Sequence, residues 1–366
     1  MAKTRRLFIL GAGCSYAAGL PDGDRLAGNL FGYAGGAVWE VVYNKFPAAY
    51  WAPLLNQLGR VMRDLAQGGL QSRWALDRVF DRFHELMRAD PLAMGPAYGL
   101  LFEATAQLLY TRSCYGATTD AYRKFVDALE PGDVVLTFNW DTCPEIAMHH
   151  AGRRFSQALG GDVPADVPWL LKLHGSIDYL IVDIDARIKD GQDRPDFLET
   201  LGAEAPSPIR GRRFEVKRLR TYDLGYEVQL DQTASRDRET AGMGGVLGGE
   251  DVGPFLLTHA LQEYPTFHML TPGSPRPLYD WQYHLISQLL ARVCPEIGEI
   301  TVVGYSFPDY DKPVHEVLAT IHRLAGKPPT HIVNPGAAAL SLPLLKSIFG
   351  GCELHATGFG DYEWHR

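Results

Sequence analysis

The sequence has few cysteines, no long apolar run and no excess of basic residues, and each absence excludes a class of protein. Its 366 residues include five cysteines, and no two are close enough to form the Cys-x-x-Cys pairs of a four-cysteine zinc module. No apolar run approaches membrane-spanning length. The formal charge of −8 argues against a surface that coats nucleic acid. We therefore expect a cytoplasmic protein without disulfides, metal or membrane segment.

A buried strand followed by a glycine turn organises the rest of the chain. The four apolar residues 7–10 are typical of a strand covered on both faces, and Gly11-Ala12-Gly13 follows directly. Glycines allow backbone N–H groups to approach an anionic ligand such as a phosphate. The common dinucleotide-binding turn has a third glycine three residues later, but Tyr16 stands there and the next glycine is Gly19.

Four later apolar segments also end abruptly in polar or glycine residues. The residues at these ends are Asn139, Asp141, His174, Gly304, Ser306 and Asn334. Because the carboxyl ends of parallel strands meet at one edge of a sheet, we expect these residues to line one cleft. Each polar side chain also has a simpler interpretation. Asn139 and Asp141 could cap the following helix, His174 could be a packed core residue, and Asn334 could start a turn.

Four motifs, in their order along the chain, resemble those of the sirtuins and of the sirtuin-like NAD hydrolases. They are Gly-Ala-Gly-x-Ser at 11–15, Thr-x-Asn-x-Asp at 137–141, His-Gly-Ser at 174–176 and Gly-x-Ser at 304–306. Their joint order is more specific than any single motif. Sirtuin deacylases usually carry a cysteine zinc module. They also have the four residues Pro-Asp-Phe-Arg where this chain has Pro-Asp-Gly-Asp-Arg at 21–25. Both departures point to the zinc-free, prokaryotic hydrolase branch.

The resemblance implies that the chain cleaves its substrate NAD to nicotinamide and ADP-ribose without a metal. It implies three catalytic residues: His174 as general base, Asn139 to place the ribose and the attacking water, and Asp141 to contact the nicotinamide amide. The NAD-binding residues that it implies are Gly11, Ala12, Gly13, Ser15, Gly19, Pro21, Asp22, Gly304, Ser306 and Asn334.

The resemblance also implies a biological role and leaves two other functions open. The role is antiviral (antiphage) defence, in which a homo-oligomer or a protein partner activates the enzyme. One alternative is a zinc-independent, NAD-dependent protein deacylase. The other is a non-catalytic module that binds NAD or ADP-ribose as a sensor.

The strand and helix patterns predict an α/β fold, a doubly wound Rossmann-like parallel sheet with two insertions. The sheet domain takes residues 1–33, 118–180 and 281–366. Apolar residues at helical spacing predict an all-helical insertion at 34–117. Residues 181–280 lack such periodicity and are expected to form a mixed, irregular insertion.

Two features stand out in this mixed insertion. A run of six basic residues at 210–220, partly alternating with apolar ones, indicates a basic hairpin that could face nucleic acid or a partner; a solvated edge strand is the alternative. Six glycines follow within residues 242–253, and this segment is expected to be mobile. Nucleic-acid contact is thus expected only through a local basic patch.

Overall fold

The computed structural model describes much of the predicted sheet domain and part of the two insertions. The described residues are 5–20, 56, 76–89, 105, 108–109, 112–113, 116–183, 198–205, 213–219, 266–269, 276–308 and 311–364. The predicted site residues Pro21 and Asp22, the glycine-rich segment at 242–253 and most of the helical insertion lie outside them. Within the helical insertion, residues 76–89 form a helix.

Ten strands and seven helices are described, numbered here in chain order. The strands are β1 (Arg5–Leu10), β2 (Val134–Thr137), β3 (Trp169–Lys172), β4 (Gly175–Asp183), β5 (Leu198–Ala205), β6 (Phe214–Leu219), β7 (Thr266–Met269), β8 (Ile297–Val303), β9 (Thr330–Val333) and β10 (Glu353–His355). The helices are α1 (Ala12–Ala17), α2 (Leu76–Ala89), α3 (Asp120–Ala128), α4 (Cys143–His150), α5 (Arg276–Val293), α6 (Lys312–Leu324) and α7 (Leu342–Phe349).

Six parallel strands form the main sheet, in the spatial order β10-β9-β8-β1-β2-β3. The chain places β2 and β3 on one side of β1 and then β8, β9 and β10 on the other, so the strand order reverses between β1 and β8. This is the strand order of a Rossmann-type sheet, and it confirms the predicted fold class. The sequence predicted five of these strands; the short edge strand β10 is the sixth.

Alternate residues of the central strand β1 point to opposite faces of the sheet, as its pleat requires. Leu7 and Ile9 are fully buried in a core shared with helices α5, α6 and α7. Phe8 points the other way and contacts Phe125 of α3, with ring centroids 5.6 Å apart, and Trp364 near the carboxyl terminus, at 5.8 Å. Burial on both faces explains why residues 7–10 of β1 form an unbroken apolar run.

The mixed insertion contributes to a second, antiparallel sheet of order β5-β6-β4-β7. Strand β6, which contains part of the basic run, lies between β5 and β4. The interpretation of this run as a solvated edge strand is therefore wrong at residues 214–219. Lys217 and Arg218 are buried, and each buried charge has a partner. Lys217 pairs with Glu215 at 2.8 Å, and Arg218 donates to Gln157. These two residues add nothing to a basic surface.

Two negative findings concern the described residues alone. None of the described helices combines the length and apolar character that a membrane span requires. The four cysteines that the structure describes, Cys14, Cys143, Cys294 and Cys352, are free thiols.

The turns after β1 and β8 touch each other through glycine backbones. Gly11 N–H donates to the Val303 carbonyl at 2.9 Å, and Gly13 N–H donates to the Gly304 carbonyl at 2.8 Å. A Cβ atom on Gly13 would lie 2.7 Å from Gly304 Cα, and one on Gly304 would lie 2.6 Å from the Cys14 nitrogen. The glycines are therefore required because two backbones approach each other where the strand order reverses.

We expect Gly304→Ala to destabilise the protein by about 1–3 kcal/mol more than Gly326→Ala, because the added methyl group meets backbone atoms that have no room to move. Both glycines have a positive φ, 66° and 76°, but a Cβ atom on Gly326 would meet no atom within 4 Å. The comparison thus separates close approach from backbone strain. Urea unfolding measures the free energy of unfolding of both variants. Equal losses of stability would contradict the requirement for close approach.

Candidate ligand-binding site at the sheet edge

Three of the predicted site residues, far apart in sequence, form one hydrogen-bonded group at the carboxyl edge of the sheet. Asn139 Nδ2 donates to the Gly11 carbonyl and to Ser15 Oγ, both at 2.9 Å. Ser15 Oγ in turn donates to Asp141 Oδ2 at 2.5 Å. Asp141 Oδ1 accepts the N–H of Cys143, the first residue of α4, at 3.0 Å. Asp141 therefore satisfies a helix terminus as well as belonging to the group.

A buried lysine behind this group fixes its position. Lys172, the last residue of β3, is fully buried, and its ammonium donates to Glu145 Oε1 at 2.9 Å and to Ser176 Oγ at 2.8 Å. The third acceptor is the backbone oxygen of Asp141. An ammonium has three N–H donors, so these three acceptors satisfy it completely. The lysine thereby joins the ends of β2 and β3 to α4 and to β4.

The charges around Lys172 keep it protonated despite its burial. Burial alone would lower its pKa, but the negative charges of Glu145, Asp178 and Asp141 outweigh that effect, and the pKa is raised. Burial raises the pKa of the Glu145 carboxyl, which Lys172 opposes. Glu145 also accepts a hydrogen bond from Gln157 at 2.8 Å. Two donors thus satisfy Glu145 Oε1, whereas the buried Oε2 atom has no hydrogen-bond partner among the described residues.

His174 follows β3 directly and lies between two aromatic rings. Its ring centroid is 5.6 Å from that of Phe138 and 6.0 Å from that of Tyr283 in helix α5. Its Nε2 atom forms a hydrogen bond with the Tyr283 hydroxyl at 2.8 Å. Burial lowers the pKa of His174 to about 4, although a hydrogen bond with the Phe138 backbone acts against this. The imidazole is therefore neutral at pH 7, the form that can accept a proton.

An aromatic contact connects His174 to the turn after β8. The Phe138 ring, which touches His174, lies 4.9 Å from the ring of Tyr305. Tyr305 donates from its hydroxyl to Asp311 Oδ2 at 2.6 Å, and its backbone oxygen accepts from Asn334 at 3.1 Å. Phe307, in the same turn, has a φ of 53°, a strained value for a bulky residue. The ends of β2, β3, β8 and β9 thus form one connected edge.

Several other predicted NAD-binding residues lie outside the hydrogen-bonded group of Ser15, Asn139 and Asp141. Asn334 accepts the Gly336 N–H at 2.8 Å, so it does form the turn that was its simpler interpretation. Ala12, Gly19 and Ser306 are exposed. Among the described residues, no hydrogen bond links the Ser306 side chain to Ser15, Asn139 or Asp141.

A separate cavity of about 490 Å³ lies at the opposite edge of the sheet. It is lined by residues 127–131, 153–154 and 166–168, which precede or flank the amino ends of β2 and β3. None of the predicted site residues lines it. Ligands of open α/β sheets bind at the carboxyl edge, so we do not assign this cavity to the site.

Sequence reasoning missed several residues that shape the site. They are Phe138, Glu145, Lys172, Tyr283 and Tyr305. One signal was visible: Lys172 interrupts the apolar run Trp-Leu-Leu-Lys-Leu, and a charge inside a buried strand needs a partner. The aromatic residues carried no such signal, because aromatic side chains at these spacings are ordinary core residues.

We expect Lys172→Met to lower the free energy of unfolding by about 3–5 kcal/mol, because it leaves the Glu145 carboxyl buried without its cation. Adding Glu145→Leu to this variant is expected to restore part of the loss, since an apolar pair replaces the ion pair. Arg154→Met is the control. It breaks an exposed pair with Asp166, whose side chains are 81% and 73% exposed, and should change stability much less. A similar loss in Lys172→Met and Arg154→Met would contradict the central role of Lys172.

We expect the His174 ring of the folded protein to titrate near pH 4. In the unfolded chain it takes up a proton near the ordinary value of 6.5, so the folded state binds fewer protons between these values. Stability is therefore expected to fall as the pH drops from about 6.5 towards 4. An NMR titration tests this, with the resonance identified by its loss in His174→Gln. A midpoint near 6.5 would contradict the desolvated environment of the ring.

Comparisons with known proteins leave this site to be judged from its own residues. No family model matches the chain, and no curated protein matches it. The interpretation of the site therefore rests on the geometry around Asn139, Lys172 and His174 and on the order of the four sequence motifs.

Proposed function

We propose that the chain is an NAD glycohydrolase, which cleaves NAD to nicotinamide and ADP-ribose. The observation that supports it best is the group of Ser15, Asn139 and Asp141 at the ends of β1 and β2, beside the reversal of strand order between β1 and β8, with His174 at the end of β3. Open α/β sheets bind nucleotides at such a reversal. The four motifs that resemble the sirtuin-like hydrolases contain all four residues.

The reaction requires the protein to position the substrate and to supply one proton acceptor. The bond between nicotinamide and the ribose C1′ atom breaks, positive charge develops on the ribose, and water adds to C1′ and loses a proton. A neutral imidazole can take up a proton from a ribose hydroxyl or from the water, and the low pKa of His174 keeps it neutral. In this proposal Asn139 orients the ribose and water, and Asp141 contacts the nicotinamide amide.

We further propose that the activity is regulated, because the side chains of the site already have partners within the protein. His174 Nε2 is bonded to Tyr283, and the Asn139 amide donates to Gly11 and Ser15. NAD would have to replace some of these bonds. Activation by self-association or by a protein partner fits a role in antiviral defence, where unregulated loss of NAD would harm the cell.

A second candidate is a module that binds NAD or ADP-ribose without cleaving it. The same internal hydrogen bonds favour it, since they stabilise a site in which no side chain is held ready for catalysis. The low pKa of His174 also makes it a weak base, because proton acceptors work best when their pKa is near the working pH. Turnover distinguishes this candidate from the hydrolase.

We expect the full chain, at its basal rate and without the proposed activator, to release nicotinamide and ADP-ribose from NAD alone, and His174→Gln to lower that rate by about 10²- to 10⁴-fold, because it removes the base. The control is His284→Gln. His284 is an exposed histidine of α5 whose Nε2 atom contacts Gln288, so its replacement is expected to leave the rate unchanged. Product analysis by chromatography measures all three proteins.

A thermal-shift titration with NAD and with ADP-ribose completes the test. Stabilisation of the wild type without turnover would favour the binding module, and turnover only with an acylated peptide would indicate a deacylase. Neither stabilisation nor turnover would overturn the proposal. Wild-type turnover by His174→Gln would refute the assigned base.

A further inference from the structure

Two histidines and a glutamate lie together on one face of the sheet, at its far edge. The register pairs Phe8 with Thr301, Thr301 with His331, and His331 with Glu353. Paired residues of a parallel sheet share a face, and so do residues two apart along a strand. His355 therefore joins His331 and Glu353 on the face to which Phe8 points.

The side chains bring three ligand-type atoms close together. His331 Nδ1 lies 3.2 Å from His355 Nε2 and 3.3 Å from Glu353 Oε2. His355 Nε2 lies 3.8 Å from Glu353 Oε1. The two imidazoles are partly exposed, at 23% and 24%, and the carboxyl is 65% exposed.

We propose that His331, Glu353 and His355 bind a divalent transition-metal ion of the zinc type. Zinc binds histidine nitrogen and carboxylate oxygen at roughly 2.0–2.2 Å, and tetrahedral geometry then separates neighbouring ligand atoms by about 3.3–3.5 Å. The two shorter distances already lie close to this value. The third distance, from His355 Nε2, is to the other carboxylate oxygen of Glu353, and one ligand atom from each of the three residues lies within 4.8 Å of the others.

Two imidazoles and one carboxylate form a ligand set that suits zinc and the neighbouring first-row metals rather than magnesium or calcium, which prefer oxygen alone. Three protein ligands leave a fourth position for water. The exposure of Glu353 provides a route by which an ion reaches the site.

The surroundings of the cluster hold the ligands and favour a cation. The ring of Tyr362 is largely buried and lies 5.3 Å from the His355 ring, so it limits the movement of that imidazole. The Glu353 carboxylate places negative charge beside both imidazoles, which a divalent cation would balance.

A bound ion would join the edge strand β10 to its neighbour β9. Strand β10 has three residues and pairs with β9 at its inner side alone among the described strands. The His355 carbonyl also accepts the Asn334 N–H at 3.0 Å, so the ion would stabilise the edge next to the turn that contains Asn334. This metal site does not depend on the proposed NAD chemistry.

No sequence pattern points to this site. The expectation of a metal-free protein came from the scattered cysteines, from the lack of a cysteine–histidine cluster with ligand spacing and from the resemblance. His331 precedes Glu353 by more than twenty residues, and the pair Glu353 and His355 is too short to be read as a ligand motif. Only the pairing of β9 with β10 brings the three together. A bound metal here would correct that expectation.

The test uses the full chain, freed of metal with a chelator and then titrated with Co²⁺ as a visible probe and with Zn²⁺ as its competitor. One equivalent of Co²⁺ is expected to give the intense visible absorption of a tetrahedral site, and one equivalent of Zn²⁺ to remove it. Zn²⁺ is also expected to raise the Tm, because it binds the folded state. No NAD is present.

Three single variants, His331→Gln, His355→Gln and Glu353→Gln, are compared with His284→Gln, which removes an exposed histidine elsewhere. Each single variant is expected to weaken metal binding by more than about 10- to 100-fold, the loss typical when a group that only supports a ligand is removed. The control should bind as the wild type does. Metal-free unfolding curves establish that each variant folds.

Two results would overturn the proposal. One is a wild-type protein that shows no tetrahedral Co²⁺ spectrum, in which case the 3.2 Å contact is a hydrogen bond between the two imidazoles. The other is a spectrum and a Zn²⁺ affinity that persist in both His331→Gln and His355→Gln, which would place the ion elsewhere.

Discussion

The fully buried ammonium of Lys172 is the interaction on which the candidate site depends. Removing a charge from water is costly unless it is paired and hydrogen-bonded, and here the acceptors come from Asp141, Glu145 and Ser176. Each belongs to a different part of the fold. The backbone oxygen of Lys172 also accepts from Gln282 at 2.8 Å. Because Tyr283 is the next residue, the lysine also helps to set the contact between α5 and His174.

The second constraint is the contact between the glycine turns after β1 and β8. In the sequence, Gly11 and Gly13 resemble a phosphate-binding turn, and the structure gives them a further role. Their N–H groups bond the turn after β8, and their missing side chains allow it to approach. A phosphate at this turn would therefore have to share those N–H groups or use others. The glycines alone are weak evidence for a nucleotide, and the polar strand ends carry more of the argument.

Some of this organisation could be read from the sequence, and some could not. Apolar runs that end in polar residues predicted five of the six parallel strands and placed Asn139 and His174 at one edge, because burial on both faces and parallel pairing follow from local pattern. Strand β10 was missed, since three half-exposed residues carry no apolar signal. The partners of Lys172 and the cluster around His331 depend on tertiary pairing between distant segments. Local sequence does not encode such pairing in a readable form.

The carboxyl edge concentrates features that cost stability, and this supports a functional site there without reference to any family. Lys172 and Glu145 form a buried ion pair, and removing two charges from water carries a desolvation cost that can exceed their mutual attraction. His174 sits where burial opposes its protonation, and Phe307 holds a left-handed backbone conformation. Selection for stability alone would remove such features. They lie along the carboxyl edge of the sheet, on both sides of the point where the strand order reverses, and an open α/β sheet binds its ligand at that edge.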